Sequence, residues 1–135
     1  MNAQIHCGSA SKSQYEIATL QQLSDGWKGE NSKRPAENAV AQLQTILFEI
    51  ETGRMPWPDV HAVPNGGVVL TWTSLCRDMM VTIDPDGKIF FTTCLKQLNS
   101  DYDVVERVES EGFVADMQTL DYMLVWFCKD KAHAT

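Results

Sequence analysis

Three histidines and four cysteines are the side chains of this 135-residue chain best suited to act as nucleophiles, bases or metal ligands. His6 adjoins Cys7, but adjacent residues in an aperiodic terminal stretch do not hold a thiol and its base in hydrogen-bond geometry. His61 and His133 have no HxxxH or HExxH partner, and the cysteines form no CxxC pair. The sequence therefore predicts no catalytic residue, no metal site and no cofactor.

Other sequence signals for chemistry are equally weak. Asp84 and Asp86 resemble half of a calcium loop, but the later acidic ligands are missing, so a turn explains them. No phosphate loop, GxGxxG motif or nucleophile elbow occurs. For Cys76 and Cys94, buried small side chains are the preferred interpretation and an oxidised pair is the alternative. These absences favour a protein that is not an enzyme.

The tryptophans carry more information. Trp72 alternates with apolar residues in a strand pattern, which predicts a core position, and Trp27 follows a helix stop, which predicts a plug between two helices. Trp57 lies between two prolines, in rigid extended backbone without a periodic face. It either covers an edge of the core or is an exposed anchor for a partner. The candidate partner-binding residues are Trp57, Asp59, Trp126 and Phe127.

The charge balance limits the partners. Eleven basic against 18 acidic residues give a net charge of −7, which repels a phosphate backbone and disfavours direct nucleic-acid binding. It is compatible with docking on a basic protein surface. No apolar run approaches a membrane span and the start shows no signal-peptide pattern, so we expect a cytoplasmic protein with reduced thiols and no membrane contact.

Helical periodicity is visible in three places. Ser13 and Glu16 have capping-box spacing, which predicts a helix over about residues 14–24. Pro35 suits the first turn of a second helix, whose apolar stripe runs to Ile50 before Gly53 ends it. A third stripe predicts a C-terminal helix and comprises Phe113, Met117, Leu120, Leu124 and Phe127.

Alternating segments predict three strands within residues 67–95. The last two are joined by the turn Asp84-Pro85-Asp86-Gly87, and the first two by a second hairpin at residues 74–77. The proline-rich residues 54–64 are expected to run extended. Residues 96–112 permit a short helix or an edge strand, and helix or irregular structure is preferred.

One resemblance accompanies these patterns. The run Gly26-Trp27-Lys28-Gly29-Glu30, Pro35, Pro56-x-Pro58, Pro64 and Gly66-Gly67-Val68-x-Leu70-x-Trp72 resembles short bacterial proteins often encoded on mobile or accessory DNA. The resemblance spans roughly residues 17–92 and implies a shared fold without an activity that can be transferred. Lys28 and Thr71 depart from it, because acidic residues are usual at both positions.

Together, these features predict one α+β domain at residues 13–129, between a flexible N-terminus (1–12) and a C-terminal tail (130–135). We expect two N-terminal helices, an antiparallel three-stranded meander, and a C-terminal helix packed on one sheet face. The predicted function is a non-enzymatic protein-binding module, such as an accessory regulator, immunity protein or inhibitor of a basic partner. The alternatives are a small-ligand or enzymatic domain, with Glu30, Asp59 and His61 lining a pocket above roughly 300 Å³, and a homodimer.

Overall fold

A computed structural model describes the backbone of residues 8–134 and the side chains of residues 12–129. It contains, in chain order, the helices α1 (Gly8–Gln21) and α2 (Glu37–Thr52), the strands β1 (Asp59–Ala62), β2 (Val68–Thr73), β3 (Arg77–Ile83), β4 (Ile89–Leu98) and β5 (Val104–Phe113), and the helix α3 (Met117–Ala134). The predictions for residues 1–7, which include His6 and Cys7, and for the side chain of His133 fall outside this description.

The five strands form one antiparallel sheet in the order β1-β2-β3-β4-β5. The α+β class agrees with the sequence, but the predicted arrangement of two N-terminal helices and a three-stranded meander is wrong. The sheet has one further strand at each edge. β1 is only four residues long and alternates between exposed and half-buried positions, and β5 has only exposed residues, so neither has the buried face that marks a strand in the sequence.

The core lies between one face of the sheet and all three helices. The inward-facing positions of β2 and β3 are buried, and Leu70 lies opposite Val81 as Trp72 lies opposite Met79. The buried apolar side chains are Leu20, Ala39, Val40, Leu43, Ile46, Leu47, Ile50, Val68, Leu70, Trp72, Met79, Val81, Ile83, Ile89, Val114, Leu120, Met123, Leu124 and Phe127. The apolar stripe of α2 is thus confirmed as its core face.

The N-terminal helix begins earlier than its sequence suggests. Because α1 runs from Gly8, Ser13 lies inside the helix and the predicted capping box is wrong. The Ser13 hydroxyl instead donates a hydrogen bond to Glu51 Oε1 at 2.6 Å, which connects α1 to the end of α2. α2 ends at Gly53, as predicted, and the Gly53 N–H donates to the Glu49 carbonyl at 2.9 Å.

Both predicted hairpins are confirmed. Asp84 Oδ1 accepts the backbone N–H groups of Asp86 and Lys88 at 3.0 Å each, and Gly87 has a φ of 90°. A carboxylate that satisfies two turn amides explains why this acidic pair forms a turn and not an ion site. In the other hairpin, the Ser74 N–H donates to the Arg77 carbonyl at 2.9 Å.

Residues 96–112 belong to the β4–β5 hairpin, so the preference for helix or irregular structure there is wrong and the edge-strand alternative is correct. The register between β4 and β5 shifts between Thr93 and Cys94, which marks a β-bulge. Phe113, assigned from its spacing to the C-terminal helix, ends β5 and is 64% exposed. α3 starts four residues later, at Met117.

The second face of the sheet is called the open face here. It is defined by side chains that alternate with the core residues: Val69, Thr71, Met80, Thr82, Phe90 and Thr92. All six are half-buried or exposed, whereas the inward positions of β2 are buried. Across residues 8–134, no helix combines the length and apolarity that a membrane crossing requires.

Candidate functional site

Trp27 does not plug the core. Its ring is half-buried and lies outside the cluster of core residues. Its indole N–H donates to the Lys33 carbonyl at 2.8 Å, and Ser32, buried beneath the same loop, accepts the Lys28 N–H at 2.9 Å. Trp27 therefore stabilises its own loop, which leaves Trp57 as the tryptophan to consider for partner binding.

Trp57 is positioned by the first helix. Its indole N–H donates to Glu16 Oε2 at 3.2 Å, and Lys12 Nζ lies 4.7 Å from the ring centroid. Lys12 and Glu16 are four residues apart, so both side chains project from one face of α1. The ring is half-buried and packs against the core cluster. Trp57 thus covers a core edge, and the rigid Pro56-Trp57-Pro58 backbone leaves part of the ring at the surface.

A cavity of about 460 Å³ opens beside this ring and is called the Trp57 groove. It is lined by Pro56, Trp57, Asp59, Thr71, Trp72, Thr73, Ser74 and Phe127. The Trp72 indole N–H donates to the Pro56 carbonyl at 2.8 Å, which fixes the proline segment against β2. The walls are consequently set by hydrogen bonds and core packing.

Among the described side chains, Asp59 is the only charged one that lines the Trp57 groove. It is exposed at the start of β1, opposite Thr71, and no described side chain forms an ion pair with it. An unpaired carboxylate beside tryptophan rings attracts a cation whose alkyl stem packs on the aromatic surface. The groove is thus suited to a lysine or arginine side chain.

Three of the four residues predicted to bind a partner meet at this groove: Trp57, Asp59 and Phe127. Phe127 is only 4% exposed, so it forms part of the floor and is not the surface anchor expected from the sequence. Trp126 lies outside the groove. Its ring faces the Arg77 guanidinium at 4.7 Å, and Arg77 also donates to the Trp126 carbonyl, so this tryptophan joins α3 to β3.

A second polar cluster lies at the end of the open face. Lys96 Nζ lies 3.0 Å from Asp78 Oδ1, and the two form an ion pair whose geometry is not that of a hydrogen bond. Lys96 Nζ also donates a hydrogen bond to the Ser74 carbonyl at 2.5 Å. A hydrogen bond to Asp78, together with the negative charge of that group, raises the pKa of the fully exposed Glu106 carboxyl. The positive charge of Lys96 acts in the opposite direction and lowers the pKa of Glu106.

Cys94 lines a cavity of about 210 Å³ with the same carboxylates, and burial and the nearby Glu106 raise the pKa of its thiol. A raised pKa lowers the thiolate fraction and hence the nucleophilicity of the side chain. Cys76 is exposed, so the expectation that both thiols are small buried side chains is wrong for it. Within the described residues, no three His, Cys, Asp or Glu side chains are grouped to hold a metal ion.

The small-ligand alternative required a pocket above roughly 300 Å³ lined by Glu30, Asp59 and His61. The Trp57 groove has that volume and contains Asp59, but Glu30 and His61 do not line it. His61 lies on the open-face side of β1, opposite Val69. The polar set proposed for a small ligand is therefore not assembled.

Sequence reasoning missed Lys12, Glu16 and Arg77. Lys12 and Glu16 have the spacing of helix neighbours, but nothing in the sequence directs that helix face to Trp57, 41 residues beyond Glu16. Arg77 is 49 residues from its partner Trp126. Contacts at such separations depend on how the elements pack, which local periodicity does not encode.

The fold and the groove define a small α+β protein with an aromatic surface site that bears one carboxylate. No protein-family model, curated protein or solved structure matches this chain.

Proposed function

We propose that the protein is a non-enzymatic binding module whose Trp57 groove receives a basic side chain of a partner protein. The observation that carries this proposal is the meeting, at one cavity built on core residues, of Trp57 and Asp59, a carboxylate that no described side chain pairs with. A preformed aromatic surface lowers the entropy lost on binding, and the carboxylate selects for positive charge. The partner would be an effector that this protein regulates or inhibits.

The net charge of −7 supports the same partner chemistry, because an acidic surface accelerates encounter with a basic one. The proposal therefore requires affinity that falls with ionic strength. It also requires that the groove, more than the overall charge, determines binding.

A paired-bait experiment tests this requirement. The wild-type protein and the Asp59→Lys variant are immobilised at equal density and exposed to the same cell extract, and retained proteins are quantified by mass spectrometry. The control is Asp86→Lys, which makes the same charge change in the exposed β3–β4 turn. A partner retained by the wild type and the control, lost with Asp59→Lys and eluted by salt agrees with the proposal.

Equal loss of the partner with Asp59→Lys and Asp86→Lys would show that overall charge determines binding, and it would contradict a role for the groove. Equal retention by all three baits would contradict it as well. Titration of a purified candidate partner by calorimetry then gives the affinity ratio between Asp59→Lys and Asp86→Lys. We expect about tenfold weaker binding for Asp59→Lys, equivalent to about 1.4 kcal/mol.

A further inference from the structure

The two edges of the sheet are protected very differently. β1 is four residues long and is followed closely by Pro64, so it offers little backbone for pairing with another chain. β5 is ten residues long and every one of its residues is exposed, and among residues 8–134 it has a strand neighbour only on its β4 side. Such an edge presents unpaired backbone N–H and C=O groups along about 30 Å.

The side chains of β5 leave this edge accessible. Val104, Val105 and Val108 are 66%, 46% and 54% exposed, and Phe113 is 64% exposed. Val104 to Val108 form an unbroken stretch paired with β4, because the bulge falls beyond them. Lysine and proline, which commonly block sheet edges, are absent from β5.

The charge of the β4–β5 turn and of β5 determines which kind of segment the edge of β5 attracts. Between Asp101 and Glu111 there are five acidic residues and one basic residue, a net charge of −4 out of −7 for the whole chain. The single basic residue, Arg107, is already paired with Glu109 at 3.6 Å. A second copy of this chain would bring the same negative charge to the edge, whereas a basic strand would neutralise it.

We infer that the free edge of β5 accepts an extended, lysine- or arginine-rich segment of another protein as a sixth strand. Backbone hydrogen bonds would provide the pairing, and alternate basic side chains would face Glu106, Glu109 and Glu111. Apolar side chains between them would point to the opposite face of the sheet, where Val105 is 46% exposed. This docking mode goes beyond the proposed function, because β5 and the Asp59-bearing β1 lie at opposite edges of the sheet.

The test uses a fluorescein-labelled ten-residue peptide that alternates lysine and valine, titrated against the full-length protein by fluorescence anisotropy. The first control peptide has the same sequence with alternate backbone nitrogens methylated, which blocks strand pairing without changing the charge. The second replaces each lysine by glutamate. We expect the parent peptide to bind and both controls to bind at least about tenfold more weakly.

Protein variants locate the binding edge. Glu109→Lys/Glu111→Lys reverses two exposed charges on β5, and the matched control Glu30→Lys/Glu37→Lys makes the same net change at exposed positions elsewhere. We expect about tenfold loss of affinity with the first pair only. Asp86→Asn, at an exposed position of the β3–β4 turn, should bind the peptide like the wild type.

Hydrogen exchange on the wild-type complex supplies a readout that needs no variant. Amides of β5 should gain protection on peptide binding, while those of β1 should not. Equal affinity for the N-methylated peptide, or unchanged exchange in β5, would overturn strand addition and leave only charge attraction. A wild-type dimer with β5 amides already protected would identify the occupant as a second copy and also overturn the proposal.

Discussion

At the scale of single residues, Trp57 uses different parts of one side chain for stability and for the groove. Its N–H is held by Glu16 and one ring face receives Lys12, while the ring also lines the cavity. The alternatives of core cover and surface anchor therefore do not exclude each other. A binding assay on a Trp57 variant is informative only alongside its stability.

Trp57→Ala is expected to lower the free energy of unfolding by about 2 kcal/mol, less than the roughly 3–5 kcal/mol typical of a fully buried tryptophan, because the ring is half-buried. Trp57→Phe keeps an aromatic ring but loses the hydrogen bond to Glu16, and it should lower the free energy of unfolding by about 1 kcal/mol. Urea denaturation followed by circular dichroism measures both values. A loss below about 0.5 kcal/mol for Trp57→Ala would show that the ring does not support the core.

Trp72→Phe tests the hydrogen bond that fixes the groove wall. The substitution removes the donor to the Pro56 carbonyl and leaves a small void, because Trp72 is only 3% exposed. We expect a loss of about 2–3 kcal/mol in thermal or urea unfolding. Amide exchange should also quicken in residues 53–57, and unchanged exchange there would mean that other contacts hold the proline segment.

Glu106→Gln tests the carboxyl pair on the open face. The pKa of Glu106 is raised mainly by its hydrogen bond to Asp78, so the folded state binds this proton more tightly than the unfolded chain does. Its contribution to stability is therefore present at low pH and is lost as the pH rises through the raised pKa. Glutamine keeps a donor for Asp78 at every pH.

The stability difference between Glu106→Gln and wild type should consequently move in favour of the variant as the pH rises above the usual pKa of a glutamate. Urea unfolding at several pH values measures it, with Glu109→Gln as the control because Glu109 is paired with Arg107. A difference that stays constant with pH would contradict the shared proton.

At the scale of elements, the predictable part of the fold is the part with a buried face. α2 and the strands β2 and β3 have apolar residues at the spacing of their own period, and the turn at Asp84 has its expected chemistry. β1 has two exposed and two half-buried residues, and β5 has only exposed ones. Pairing with β2 positions β1, and pairing with β4 through a hairpin positions β5. A local sequence pattern does not predict such pairing.

The candidate site was predictable to a similar degree. Two prolines around Trp57 indicated a rigid aromatic residue, and Asp59 followed from its adjacency. Trp126, a candidate partner-binding residue, is contacted by Arg77 of β3 through both its ring and its carbonyl. The supporting contacts of the groove join α1, β2 and the proline segment, and they arise only when these elements pack.

Gly67 tests how closely the loop before β2 approaches its neighbour. A Cβ at this position would lie 2.5 Å from the Ile83 carbonyl oxygen, a backbone atom that cannot move without shifting β3. Gly67→Ala should therefore cost about 1–3 kcal/mol. Gly112→Ala is the control, since its Cβ would meet only the Phe91 ring at 3.4 Å. Equal melting temperatures for the two variants would contradict this close approach.

At the scale of the whole molecule, charge and exposed apolar surface coincide. Residues 101–111, in the β4–β5 turn and β5, contain −4 of the net charge of −7 and border the open face, where Met80 is 40% and Val108 54% exposed. Charge repulsion would then oppose the association of two copies at neutral pH. As the pH falls, the raised pKa of Glu106 removes one of these charges ahead of an ordinary glutamate.

We therefore expect a monomer at pH 7.5 and low salt that self-associates reversibly as the pH approaches the isoelectric point of about 4.8. Sedimentation velocity across this range measures the change, with circular dichroism to show that the chain stays folded. Val108→Asp should reduce the association, whereas Val125→Asp, the same change at an exposed position of α3, should not. Equal suppression by both variants would assign the effect to net charge alone, and an unchanged sedimentation coefficient near pH 5 would contradict the role given to repulsion.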